Sequence, residues 1–196
     1  MKSFQLILPS LAFVLVAGCH SLPETPGRHA EILVEGRLAE RNPADVAVLP
    51  VVNKTGNTAV PLNVIRHTFY KGLVERRYSP INLEFVDRKV VDASYQPGAL
   101  QEDAALKIYL TEWDDSSWET HRRIGIAADV FLLDSRPIDA NQELWGWRVR
   151  QEISVAADQA RYALEEDLIK LAIQRYTDEV LGGLPLRDPL ALPGPQ

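Results

Sequence analysis

Cysteine and methionine each occur once in 196 residues, and the lone thiol is Cys19. No internal disulfide can form, so any stability has to come from a packed core. A run long enough to span a bilayer is also lacking: Phe4 to Val16, at about 1.5 Å per residue, falls short of the ~30 Å hydrocarbon core. Basic clusters are missing. The chain carries 21 Lys and Arg against 27 Asp and Glu, for a net charge of −6, which argues against nucleic acid as a partner. There is no Gly-x-Ser-x-Gly, no Walker-type loop and no dinucleotide fingerprint. The four histidines, His20, His29, His67 and His121, show neither i, i+4 pairing nor the spacing of a metal site. The expectation is a protein without catalytic residues, cofactor or metal, and so not an enzyme.

What is present begins at the N-terminus. Lys2 precedes the apolar run, and Val16, Ala17 and Gly18 place small side chains just before Cys19. This is the arrangement a lipoprotein signal peptidase needs, with the Cys19 thiol taking a diacylglyceryl group. Two blander readings stand beside it: an uncleaved buried helix, and an ordinary secretory signal in which Cys19 is incidental. On the lipoprotein reading, residues 1–18 are removed, and the remainder carries 20 basic and 27 acidic side chains because Lys2 is the only charge lost. His20 becomes the second residue. An Asp there typically retains a lipoprotein in the inner membrane, so His20 points to the outer membrane, with the chain facing the periplasm. Acyl chains contribute ~0.8 kcal/mol per buried CH₂, which anchors the chain without spanning.

The apolar share of 46% with 24% charged residues suits one globular domain. Residues 19–43 read as a tether broken by Pro23, Pro26 and Gly27, with Ile32, Leu33, Val34 and Leu38 as a short amphipathic piece that docks on the body. The body, 44–185, opens with Asp45–Val52, a continuous apolar run predicting a strand buried on both faces. A loop of turn formers, Asn53–Asn57, leads to Pro61 and a helix with Leu62, Ile65, Phe69 and Leu73 on its apolar face and Arg66 and Lys71 elsewhere. Ile81, Leu83 and Phe85 alternate as a second strand, after which Asp87 caps a short helix through Val91.

Leu106, Ile108 and Leu110, then Ile124, Ile126, Ala128, Val130 and Leu132, then Trp145, Trp147, Val149 and Ile153 each alternate with polar residues. Three such runs predict an antiparallel meander with one solvated face. A helix from about Asp158 places Leu164, Leu168, Leu171, Ala172, Tyr176 and Val180 toward the sheet and stops at Gly182-Gly183. A Pro-rich tail, 186–196, is expected to lack fixed structure. The fold class is therefore α/β, a mixed sheet of about five strands packed with amphipathic helices.

Two places are candidates for contact. Asn53, Thr55 and Gly56 lie between a buried strand and a helix, where α/β folds bind anions, though the glycines of a phosphate cradle are absent and a plain turn is the alternative. Trp113 and Trp118 bracket Asp114 and Asp115 between two strands, as either a partner-binding tip or a simple connection; the calcium-loop spacing is missing. The pair Trp145 and Trp147 projects to one face, as core or as contact surface.

Four stretches, Val46–Gly56, Phe85-Val86-Asp87, Asp103–Trp113 and Glu143-Leu144-Trp145, resemble the outer-membrane lipoproteins grouped with the curli secretion lipoprotein and the TolB N-terminal domain. The resemblance runs from Asp45 to Leu181. It implies a sandwich around a mixed sheet, lipid anchoring through Cys19, envelope proteins as partners and a role in assembly or secretion, with no catalytic residue to carry over. The chain is too short for the membrane-spanning hairpins of the curli channel. Oligomeric state is left open, and a small-ligand or glycan-binding module is the alternative function.

Overall fold

The computed structural model describes residues 28–34, 36–90, 96–136, 139–155 and 164–191. In chain order these form β1 (Arg28–Val34), α1 (Leu38–Arg41), β2 (Asp45–Val48), β3 (Val52–Asn53), α2 (Leu62–Glu75), β4 (Ser79–Pro80), α3 (Leu83–Val90), β5 (Ala104–Asp114), α4 (Trp118–His121), β6 (Arg123–Asp134), β7 (Glu143–Ser154) and α5 (Glu165–Gly182). The strands make one seven-stranded sheet in the order β1-β7-β6-β5-β2-β4, with β3 also on β5. Around β2 the pairing is parallel, while β5, β6, β7 and β1 are antiparallel neighbours. The class is the mixed α/β sheet the patterns predict, with seven strands in place of five because the run 45–52 divides into β2 and β3 and Arg28–Val34 adds β1.

Val46, Ala47 and Val48 are fully buried, and the reason is cover on both faces. Val46 and Val48 join the main core with Phe69 and Leu73 of α2 and Ile173 and Tyr176 of α5. Ala47 packs on the other side with Leu49, Val86 and Leu100. The predicted single strand 45–52 is nonetheless broken. Val48 faces Leu106 but Val52 faces Tyr109, so four residues on one strand match three on the other around Pro50, which has no N–H to donate. Val52 emerges 45% exposed.

The alternation Ile81, Leu83, Phe85 does not make a strand. Only Ser79–Pro80 pairs with β2, and α3 starts at Leu83 because Asn82 caps it, its Oδ1 accepting from the Phe85 amide at 3.2 Å. Leu83, Val86 and Val90 then share one side at i, i+3, i+7, with Val86 fully buried and Phe85 38% exposed. Asp87 sits inside this helix and is not its cap; Val91 lies outside the described residues.

The meander forms as expected, and the stretch read as tether contributes to it. Ala30 pairs with Val149 and Ile32 with Trp147, so Arg28–Val34 covers what would otherwise be the open edge of β7. Helix α5 presents Leu168, Ala172, Ile173, Tyr176 and Val180 to the sheet, and the Tyr176 hydroxyl donates to the Val149 carbonyl at 2.8 Å. Leu164 does not join that face, being 73% exposed at the N-cap, and the start expected near Asp158 lies outside the described residues. The helix stops at Gly182-Gly183 as read. The backbone there is approached so closely by Trp147 that a Cβ on Gly183 would sit 0.7 Å from Cζ3 of its ring, while Trp145 Nε1 donates to the Gly183 carbonyl at 3.1 Å.

The start of the expected loose tail is held in place. Arg76 donates to the Leu184 carbonyl at 2.7 Å, Tyr78 to that of Pro185 at 3.1 Å, and Asn42 to those of Asp188 and Ala191 at 2.7 and 3.0 Å. Burial, the largest influence, pushes the Tyr78 hydroxyl up to about 12.

Candidate functional site

The loop candidate turns in on itself. Asn53 Oδ1 accepts from the Thr55 amide at 3.0 Å and from its hydroxyl at 2.7 Å, and Asn53 Nδ2 donates to the Asn57 carbonyl at 2.7 Å. Gly56 takes the turn at φ +76°, a left-handed conformation that favours glycine. The side chains of Asn53 and Thr55 are thus engaged in shaping the turn.

The tryptophan candidates separate. Trp118 is 4% exposed, at the start of α4 and not at an exposed tip, and its Nε1 donates to Glu165 at the head of α5. Arg122 donates to the same carboxylate at 2.7 Å. Trp113 is half-buried and packs against the main core. Parity explains the inversion: Leu106, Ile108 and Leu110 face inward at even positions, but β5 slips its register between Leu110 and Glu112, so Trp113 turns inward at an odd one. Asp114 and Asp115 stay exposed yet occupied. Hydrogen bonds from Ser116 hold the Asp114 carboxyl below its ordinary pKa, and Asp115 accepts from Trp113 Nε1 at 3.2 Å. Trp145 is buried and Trp147 half-buried, both in the core.

The solvated face of the meander carries paired charges. Arg148 bonds Asp129 at 2.7 and 3.1 Å and Glu31 at 3.1 Å, and Arg150 bonds Glu112 at 2.7 and 2.9 Å. Lys54 stands 4.2 Å over the Tyr109 ring. Such partnered side chains present no unmatched group to a ligand.

A groove of about 620 Å³ between α2, α3 and α5 differs in this respect. Each helix contributes residues one turn apart: Asn63, His67 and Lys71 from α2, Lys170 and Gln174 from α5, and Leu83 and Asp87 from α3. Arg66 forms part of the lining, although the helical pattern placed it on the polar side. It is 6% exposed because its guanidinium reaches the end of β2, donating from Nε and Nη2 to the Val48 carbonyl at 3.0 and 2.7 Å and from Nη1 to Asp87. Sequence reasoning missed the groove. The i, i+4 spacing on α2 was legible, but its meeting with α3 and α5 was not. Among the described residues no group of three or more His, Cys, Asp or Glu could hold a metal, and no helix is long and apolar enough to cross a membrane. Val16, Ala17, Gly18, Cys19 and His20 lie outside the described residues.

No family model matches this chain, and no curated protein does. Solved structures do match. The PelC dodecamer from Paraburkholderia phytofirmans gives a TM-score of 0.50 at 12% identity over 82% of this chain and 98% of that one. A single-residue variant of that dodecamer, in another crystal form, gives 0.51 at 12% identity over 82% and 99%. Lipoprotein GNA1162 from Neisseria meningitidis gives 0.45 at 18% identity over 72% and 99%. At 12% identity the likeness to PelC is one of fold alone.

Proposed function

We propose that this chain is a non-enzymatic lipoprotein, anchored through acylated Cys19 to the periplasmic leaflet of the outer membrane, where it serves as an assembly or accessory component of an envelope or secretion complex. The observation that carries the reading is the position of the sole cysteine directly after Val16-Ala17-Gly18 at the end of a short apolar run. Its fold is one that PelC uses in a dodecamer, which suits a protein acting through contacts between chains. The grouping with the curli secretion lipoprotein and the TolB N-terminal domain rests on the four quoted stretches.

The test is fractionation of Cys19→Ala. Loss of the lipid should move the protein from the membrane pellet to the soluble fraction with its fold intact. A variant that stays in the pellet after a high-salt wash, with its signal cleaved, sinks the proposal. A second reading, a ligand-binding module, draws its support from the groove between α2, α3 and α5 and not from Asn53–Asn57.

A further inference from the structure

In an acidic chain the groove between α2, α3 and α5 is a local excess of positive charge: Arg66, Lys71 and Lys170 line it against one carboxylate, Asp87. Arg66 is already committed to the Val48 carbonyl and to Asp87. The groups that remain are the ammonium groups of Lys71 and Lys170, the His67 imidazole, which stacks on Tyr70 at 6.1 Å, and the amides of Asn63 and Gln174. Lys170 shares its charge with Asp167 at 3.5 Å, and Gln174 donates to Asp178 at 2.7 Å. Lys71 has no ion-pair partner among the described residues.

This donor set discriminates between anions. A planar carboxylate is recognised best by a free guanidinium fork, and the one fork here is engaged. Lysine point charges and amide donors converging from two helices suit a tetrahedral phosphate, whose oxygens accept from several directions. The location agrees, since Arg66 ties the groove to Val48 at the carboxyl end of β2, and open α/β sheets take ligands beyond the carboxyl ends of their parallel strands. Val64 and Leu83 add an apolar wall for the carbon portion of a ligand. The volume lies in the range of small-molecule sites.

We infer that this groove binds a phosphate group, carried by a small soluble ester or by a phospholipid headgroup, with Lys71 and Lys170 as its charge contacts. The inference deepens the ligand-binding reading and is independent of the anchor, so Cys19→Ala should leave binding unchanged.

Calorimetry on the full acylated chain in non-ionic detergent tests it, using glycerol 3-phosphate and, separately, short-chain phosphatidylglycerol as probes. Saturable binding of either, weakened about tenfold or more in the Lys71→Ala/Lys170→Ala double variant and unchanged in Lys107→Ala, which does not line the groove, supports the site. Binding of the ester without the lipid identifies a soluble ligand; the reverse identifies a headgroup. No saturable binding of either probe up to about 10 mM, or equal affinity in a double variant whose melting curve matches the parent, overturns it.

Discussion

Single side chains matter here according to whether the fold completes their hydrogen bonds. Asp134 is fully buried, and its carboxylate accepts from Arg136 Nε and Nη2 at 3.0 and 2.8 Å and from the Arg136 amide at 3.0 Å, with Arg41 at 3.4 Å. Burial alone raises its pKa; the bonds from Arg136 and the charges of Arg136 and Arg41 outweigh that and hold it below the usual carboxylate value. A depressed folded-state value means stability that is present above about pH 4 and lost as pH falls through the folded value. Asp134→Asn should therefore cost about 1–3 kcal/mol at neutral pH, with the gap to the parent closing in acid. Denaturant titrations at pH 7 and pH 3 check it, and an equal gap at both refutes the assignment. Trp118→Ala should cost about 3–5 kcal/mol, because it empties a core position and removes a donor to Glu165; an unshifted melting temperature would contradict burial of that ring.

Among the elements, β1 departs furthest from its expected role. Its backbone pairs from Arg28 to Val34 along β7, so its amides toward β7 should be protected while those on its outer edge exchange freely. β6, flanked by β5 and β7, should be the slowest strand. Amide hydrogen exchange distinguishes this from a tether: uniformly fast exchange across 28–34 would return that segment to the linker. The groove is likewise a property of elements, since the lysines that line it stand on α2 and α5, which are nearly a hundred residues apart in the chain.

For the whole molecule, the edge strand would shorten the leash of the proposed anchor. Eight residues separate Cys19 from Arg28, a reach of roughly 30 Å at full extension, so a body anchored at Cys19 stays close to the headgroups. The proposed sorting signal lies at that same end. His20→Asp should shift the protein toward the inner membrane in a host that reads the second residue, and an unchanged density-gradient position would remove the basis for the outer-membrane proposal.

What the sequence determined by itself is periodic or local. The alternation of Ile124 to Leu132 and of Trp145 to Ile153 made the meander legible, and the unbroken apolar run at Val46 signalled cover on both faces, because side-chain direction repeats every two residues along a strand. The apolar stripe from Leu168 to Val180 announced α5 in the same way. Tertiary structure decided what depends on partners distant in the chain. The slipped register before Glu112 turned Trp113 inward, the Val48 carbonyl drew Arg66 under cover, and an open β7 edge recruited Arg28–Val34. Each outcome turned on a hydrogen bond or a packed face supplied from elsewhere in the chain, and local patterning carries no record of where such a partner will stand.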